Sequence, residues 1–318
     1  AVHKWFARRP GTLFRGLILA EFSGPPLRET FYRANNFSGI RVGDPFMGGG
    51  TPLLEANRVG CDVVGVDINP MAYWIVKQEI EHLNLADYQR AAHGLRADLE
   101  RHLGRYYRTR CGLCGSPDAH VKYFLWVKQT TCKLCGREID LFPGYLVAGN
   151  ARHPKNVFVC PACGELTETD DRDNPGSCAH CGQPLAIDGP AKRGRCACLA
   201  CGAVNTFPVT RSGPPRHRLF AIEYHCPVCK GQHTGRFFKK PDDEDLARLA
   251  EVEAEWASAN PRFVPEDLIP SGDETDRLHR WGYRRYREMF NTRQLLGLEQ
   301  SARLINQVGH ERVRNALA

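Results

Sequence analysis

Apolar residues form short runs near the N-terminus, looser runs between turn residues in the middle, and helical spacings near the end. Ile40–Asp44 is a short apolar run followed by glycines, and CDVVGVD (61–67) is a second run of the buried-strand type. Between them, Thr51-Pro52 is expected to open a helix, because Thr suits an N-cap and Pro the first helical position. That helix, LLEANRV, is expected to stop at Gly60. Asn69-Pro70 predicts a second helix over MAYWIVKQEIEHL. Strand, helix, strand, helix in this order describes a βαβ unit with a right-handed crossover. Farther along, VKYFLWVKQ (121–129) and RLFAIEYH (218–225) read as strands in a stretch punctuated by glycine, proline and cysteine. Leu246, Leu249 and Val252 recur at helical spacing. The pattern predicts an α/β part over 1–104, a β-rich insert over 105–236 and a helical segment over 237–318.

Composition narrows this picture. Apolar residues make up 42% and charged residues 25% of the 318 positions, as in a soluble globular protein of about two domains. The longest apolar run, around Gly16–Phe22, falls far short of the ~20 residues that span a bilayer. The N-terminal AVHKWFARRP lacks the apolar core of a signal peptide, so a cytoplasmic location is expected. The net charge of +7 suits a polyanionic partner, and basic residues gather at Lys4–Arg15, Arg101–Arg110 and Arg280–Arg293.

Fourteen cysteines change the picture more, and all except Cys61 lie between Cys111 and Cys229. They form six knuckles: CGLCG (111–115), CKLCG (132–136), CPACG (160–164), CAHCG (178–182), CLACG (198–202) and CPVCK (226–230). A CxxC turn brings two thiolates to one tetrahedral Zn²⁺ at ~2.3 Å, and the residue after it often needs the positive φ that Gly allows. Sequential pairing gives three Cys₄ sites. These are Cys111/Cys114 with Cys132/Cys135, Cys160/Cys163 with Cys178/Cys181, and Cys198/Cys201 with Cys226/Cys229. About three structural Zn²⁺ ions are therefore expected, because four thiolates leave no position for water or substrate. Cys196 is left over, and Cys61 reads as a small buried hydrophobe.

The second chemical signal is DPFMGGGT (44–51), between the first strand and its helix. Three consecutive glycines allow close backbone approach to a ligand. Asp67 ends the next strand, where a carboxylate can accept both hydroxyls of a ribose. A dinucleotide site wants GxGxxG, and position 53, where the third glycine would fall, is Leu. An S-adenosylmethionine site, with no pyrophosphate to cradle, fits the loop better.

GDPFMGGGTPLLEANRVGCDVVGVDINPMA resembles the cofactor-binding motifs of amino-methylating DNA methyltransferases. Together with HKWFARRP, the cysteine insert and RWGYRRYREMFNTRQLLGL (280–298), it resembles the adenine-specific DNA methylases that contain a zinc ribbon and a DUF1156-type N-terminus. The resemblance covers nearly the whole chain. It implies a Rossmann-like methyltransferase sheet, incomplete here, with an inserted zinc-ribbon region. It implies that Asp44, Pro45, Phe46, Gly48, Gly49, Gly50 and Thr51 line the S-adenosylmethionine pocket. Asp67 would bind the ribose, with Ile68 against the adenine and Asn69 beside it. His3, Lys4, Trp5 and Arg8 would belong to an N-terminal element closing over the methionine end. DNA is the implied partner, contacted by the insert and by phosphate contacts from Arg105, Arg108, Arg110 and the 280–293 cluster.

Such enzymes also need an acceptor motif, [DNS]PP[YF], whose polar groups hold the target amino nitrogen and whose aromatic stacks on the extruded base. SGPPL (23–27), SGPPR (212–216) and NPRF (260–263) all fail to supply it. The expectation is a truncated enzyme or one chain of a split one, with a second chain carrying the motif. The alternatives are a non-catalytic nucleic-acid-binding subunit with a vestigial cofactor fold, or a methyltransferase acting on RNA or protein.

Overall fold

The computed structural model describes Trp5 and residues 8–151, 153–208 and 213–318. The chain divides into two compact units, one of Ala1–Gly94 with Ile305–Ala318 and one of Leu95–Leu304. This division differs from the three expected segments: residues 237–304 belong with the cysteine region, and only the last residues return to the first unit.

The first unit contains α1 (Gly11–Phe22), α2 (Leu27–Thr30), β1 (Arg41–Asp44), α3 (Thr51–Arg58), β2 (Asp62–Gly65) and α4 (Pro70–Ile80). β1 and β2 are parallel, with Val42 opposite Val63 and Asp44 opposite Gly65, and α3 makes the crossover. Leu19, Ala56, Val59 and Cys61 form one buried cluster, and Met47, Leu53 and Val76 another. Cys61 is thus a packing residue. Glu55 is buried on α3 and is balanced by Arg15 at 2.7 Å and Arg58 at 2.6 Å. The closing helix of the chain, Glu311–Leu317, is tied to the end of α4 by Arg312, which donates to the carbonyls of Gln78 (3.0 Å) and Glu81 (2.9 Å). Those are carbonyls that the last turn of a helix leaves unpaired.

The second unit begins with α5 (Leu85–Leu103), whose first residues belong to the unit before it. β3 (Arg108–Thr109), β4 (Ala119–Thr131), β5 (Glu138–Asp140), β6 (Leu146–Ala148), β7 (Asn156–Val159) and β8 (Leu166–Thr169) follow. Then come β9 (Ala191–Lys192), β10 (Arg195–Ala197), β11 (Val204–Thr206), β12 (His217–His225) and β13 (Arg236–Lys239). The helices are α6 (Asp243–Ser258), α7 (Asp276–Arg280) and α8 (Thr292–Asn306), the last running into the first unit.

The central sheet runs β13-β12-β4-β3, with β5 beside β4, and two small sheets, β6-β7-β8 and β11-β10-β9, stand apart from it. β4 and β12 are antiparallel, pairing His120 with His225 at one end and Lys128 with His217 at the other. α6 starts in a capping box, in which Asp242 accepts from the Asp245 N–H at 2.9 Å and Asp245 accepts from the Asp242 N–H at 3.1 Å. Val252 of α6 packs with Leu103, Tyr106 and Leu296, which is why the helical segment belongs to this unit. Among the described residues no helix is long and apolar enough to cross a membrane.

Candidate functional site

The glycine loop sits at the carboxyl ends of β1 and β2, where open α/β sheets bind ligands. Gly48 (φ 47°) and Gly50 (φ 69°) are both left-handed, a conformation that costs other residues ~1–2 kcal/mol. Gly50 is also the N-cap of α3, so Thr51 is the first helical residue and not the cap expected from its side chain. A Cβ on Gly50 would fall 2.5 Å from Cγ2 of Val76, so this glycine is required by helix packing as well as by its φ. Asn69 does cap α4, accepting from the Met71 N–H at 2.9 Å.

Asp67 locks the loop to β2. Its Oδ2 accepts from the Gly48 N–H and its Oδ1 from the Asn69 N–H, both at 2.8 Å. The Asn69 and Gly48 N–H groups hold its carboxyl below the usual carboxylate range. An ionised carboxylate accepts up to about four hydrogen bonds, and two are used here. Asp44 accepts from the exposed Phe46 N–H at 3.1 Å. Phe46 is 88% exposed and Ile68 fully exposed, so both rims of the loop are apolar and open.

Trp5 lies on the loop: a Cβ on Gly49 would stand 3.0 Å from its Cγ, and one on Gly48 3.3 Å from its Nε1. Arg8 donates to the Gly49 carbonyl at 2.9 Å and pairs with Glu79 at 2.5 Å. The fold therefore brings together Asp44, Phe46, the three glycines, Asp67, Asn69, Trp5 and Arg8. His3 and Lys4 lie outside the described residues.

The cysteines assemble into three tetra-cysteine groups, each able to hold a metal ion. Cys160, Cys163, Cys178 and Cys181 come together as sequential pairing expects. The other two groups correct that pairing: Cys111/Cys114 join Cys226/Cys229, and Cys132/Cys135 join Cys198/Cys201. The reason is the antiparallel β4–β12 pair. It sets the knuckle before β4 beside the knuckle after β12, and the one after β4 beside the one before β12. Sulfur–sulfur separations across each group are 3.6 to 3.9 Å. That is far beyond a disulfide bond and matches the ~3.8 Å edge of a tetrahedron with 2.3 Å metal–sulfur bonds.

Five knuckles share one backbone. In each, the Gly after the second cysteine donates to the carbonyl of the first, at 2.8 to 3.0 Å, with φ near 71–74°. Backbone N–H groups point at sulfur, and those of Cys135 and Leu134 bring Cys132 down to about 6. Its groupmate Cys201 is pushed up to about 12: the Ala203 N–H acts downward, but burial and the neighbouring sulfurs outweigh it. Four thiols this close cannot all ionise unless a cation joins them. Cys196 is buried in the core beside Cys132 and Cys198 and belongs to no group, and burial raises its thiol.

The arginines expected to face phosphate are largely engaged. Arg105 pairs with Glu255 at 3.0 Å, Arg110 with Glu244 at 2.6 Å, and Arg108 with Glu100. Arg285 and Arg287 share Glu266. Arg293 is buried with its guanidinium against the Phe124 ring and 5.5 Å from the Tyr107 centroid, and burial brings it down to about 10. It borders a cavity of about 650 Å³ lined also by Lys122, Tyr123, Trp126 and His217. Arg293 belongs to the cluster expected to contact phosphate and is buried instead, because a pattern of arginines and aromatics carries no sign of which ring a guanidinium will stack on.

No protein-family model, curated protein or solved structure matches this chain.

Proposed function

We propose that this chain is the cofactor-binding and metal-ribbon part of an S-adenosylmethionine-dependent DNA methyltransferase acting on the amino group of adenine. The observation that carries the reading is the Asp67 lock: one carboxylate holds the glycine loop and the start of α4 at the carboxyl ends of two parallel strands. Asp67, Ile68 and the Gly48–Gly50 backbone would hold the adenosine and methionine parts of the cofactor, with Trp5 and Arg8 above them. When bound, the cofactor supplies an electrophilic methyl group. The acceptor motif is absent from residues 1–318, so further polypeptide has to supply it. The apolar side chains of Val64 and Val66 stand exposed beside a sheet of two strands, which suits a sheet completed by that polypeptide. The three cysteine groups would hold structural Zn²⁺, and the aromatic and basic cavity beside Arg293 is a surface on which an unpaired base can stack.

Calorimetric titration with S-adenosylmethionine tests the reading. Binding by the chain, lost in Asp67→Ala, is the expected result. A well-folded chain that takes up no cofactor defeats it.

A second reading, a nucleic-acid-binding subunit with a vestigial cofactor fold, is favoured by Trp5, whose ring already covers Gly48 and Gly49. Under that reading neither Asp67→Ala nor Trp5→Ala changes cofactor binding, because there is none to change.

A further inference from the structure

Two cavities adjoin along the middle of β4. That strand pairs with β12 on one edge. On its other edge β3 reaches only Ala119 and His120, and β5 only Gln129, Thr130 and Thr131. Among the described residues no strand pairs there with residues 121–127. One cavity is the 650 Å³ space beside Arg293. The second, of about 400 Å³, is bordered by Lys128, Leu141, Phe207, Phe220 and Trp281. Trp126 borders both. From Lys122 to Lys128 the strand extends roughly 20 Å.

Rings and cations alternate along this path. Phe124, Trp126 and Lys128 are two apart on β4 and share a face. The Arg293 guanidinium lies against Phe124, and the Lys128 ammonium stands 4.6 Å from the Trp281 ring centroid. Burial lowers both cations, and no carboxylate acts on either to offset it. Arg293 is only 5% exposed. A charge buried without an acid is costly, and an anion that joins it recovers part of that cost.

Acids are sparse in the same space. Lys128 is the one charged residue lining the second cavity among the described residues. Glu253 and Glu288 border the first. Glu288 is taken up by the Arg284 and Arg285 N–H groups, at 2.6 and 3.0 Å, and Glu253 is exposed on α6. The Trp281 ring is held in place by its backbone. Gly282 after it is left-handed (φ 88°), and a Cβ there would fall 2.0 Å from the Gly213 carbonyl oxygen. A ring fixed before binding loses little freedom when a ligand stacks on it.

We propose that this groove binds a short stretch of single-stranded DNA. Bases stack on Trp126 and Trp281, phosphates pair with Lys122 and Lys128, and Arg293 supplies positive charge beneath them. The choice of DNA rests on the proposed function, in which a base leaves the duplex and its neighbours lose their partners. Nucleic acid matches the groove better than an acidic peptide, because its rings and its charges alternate as those of the groove do.

Fluorescence anisotropy of the full chain with a labelled oligothymidylate, and with a duplex of equal length, tests this over a range of salt concentrations. The single strand should bind more tightly than the duplex. Trp281→Leu should weaken that binding about tenfold and leave its salt dependence unchanged, and Trp281→Phe should restore most of it. Lys128→Met should weaken binding and reduce the slope of log affinity against log salt by about 0.7, the share of one phosphate on a single strand. Circular dichroism checks that each variant folds. Duplex binding as tight as single-strand binding overturns the proposal. So does wild-type affinity in folded Lys128→Met and Trp281→Leu, or polyglutamate competing as well as unlabelled oligothymidylate. Cofactor titration on the same samples separates the groove from the proposed function. Single-strand binding without cofactor uptake supports the groove and defeats the function, and cofactor uptake without single-strand binding overturns the groove alone.

Discussion

The two units hold together by different means. In the first, Leu19, Leu53, Ala56 and Val76 are buried around one βαβ element, whose sheet has two strands among the described residues. Val66, 59% exposed, and Phe46 show how much apolar surface remains uncovered there. In the second, two long strands, β4 and β12, are flanked by strands of two to four residues, and cysteines enter three of the core clusters. Short flanking strands such as β6–β11 bury little apolar surface of their own, the setting in which small scaffolds use metal cross-links. The comparison sets apolar burial around one βαβ element in the first unit against a second unit whose core is built partly on cysteine groups able to hold metal.

Metal removal should break the comparison open with the largest effect. Binding at a structural zinc site is worth roughly 10–16 kcal/mol in small domains. A strong chelator should therefore expose 105–236 to protease while the βαβ element stays protected. Equal protection of both regions after chelation would show that the cysteine region needs no metal. The pairing is checked within the same experiment. Cys132→Ser should loosen the knuckle at Cys198 and Cys201, far along the chain, and leave Cys111 and Cys114 slow to react with a thiol reagent.

In the first unit the largest effects should come from packing. Leu53 is fully buried, and Leu53→Ala should cost about 2–5 kcal/mol in denaturant unfolding. Gly50→Ala meets both a left-handed φ and Val76, so a loss of at least ~1 kcal/mol is expected. A neutral result would mean that the loop does not hold this shape.

A smaller effect concerns acid. Asp67 is held below the usual carboxylate range, so its lock is complete at neutral pH and is lost as pH falls through its lowered value. Below the ordinary carboxylate range the loop should release, read as a change in Trp5 fluorescence that Asp67→Asn abolishes. The thiols are shifted the other way and yet fail on the same side of the pH scale. Groups such as Cys201, raised to about 12, must lose a proton to bind, so metal uptake should release protons and weaken as pH falls.

The smallest effect sharpens the comparison. Val66→Thr, on an exposed side chain, should shift stability by no more than about 0.5 kcal/mol. A loss several times larger would show that Val66 is covered in solution, by a second copy or by further polypeptide.

The sequence by itself determined the local elements. β1, α3, β2 and α4 fall where the apolar runs, Gly50, Gly60 and Asn69-Pro70 put them, since each depends on residues within one turn of one another. The CxxCG knuckles were legible for the same reason: a Gly of positive φ closes each turn on its own first cysteine. Only the tertiary structure decided which knuckles meet. β4 and β12 are separated by many residues, and their antiparallel pairing nests one cysteine group around another. Nor could the spacing show that Arg293 is buried under Phe124, that Trp5 covers the glycine loop, or that Lys128 lies over the Trp281 ring. Those contacts join residues far apart in the chain, and their formation depends on the packing of whole elements and not on the preference of any one residue.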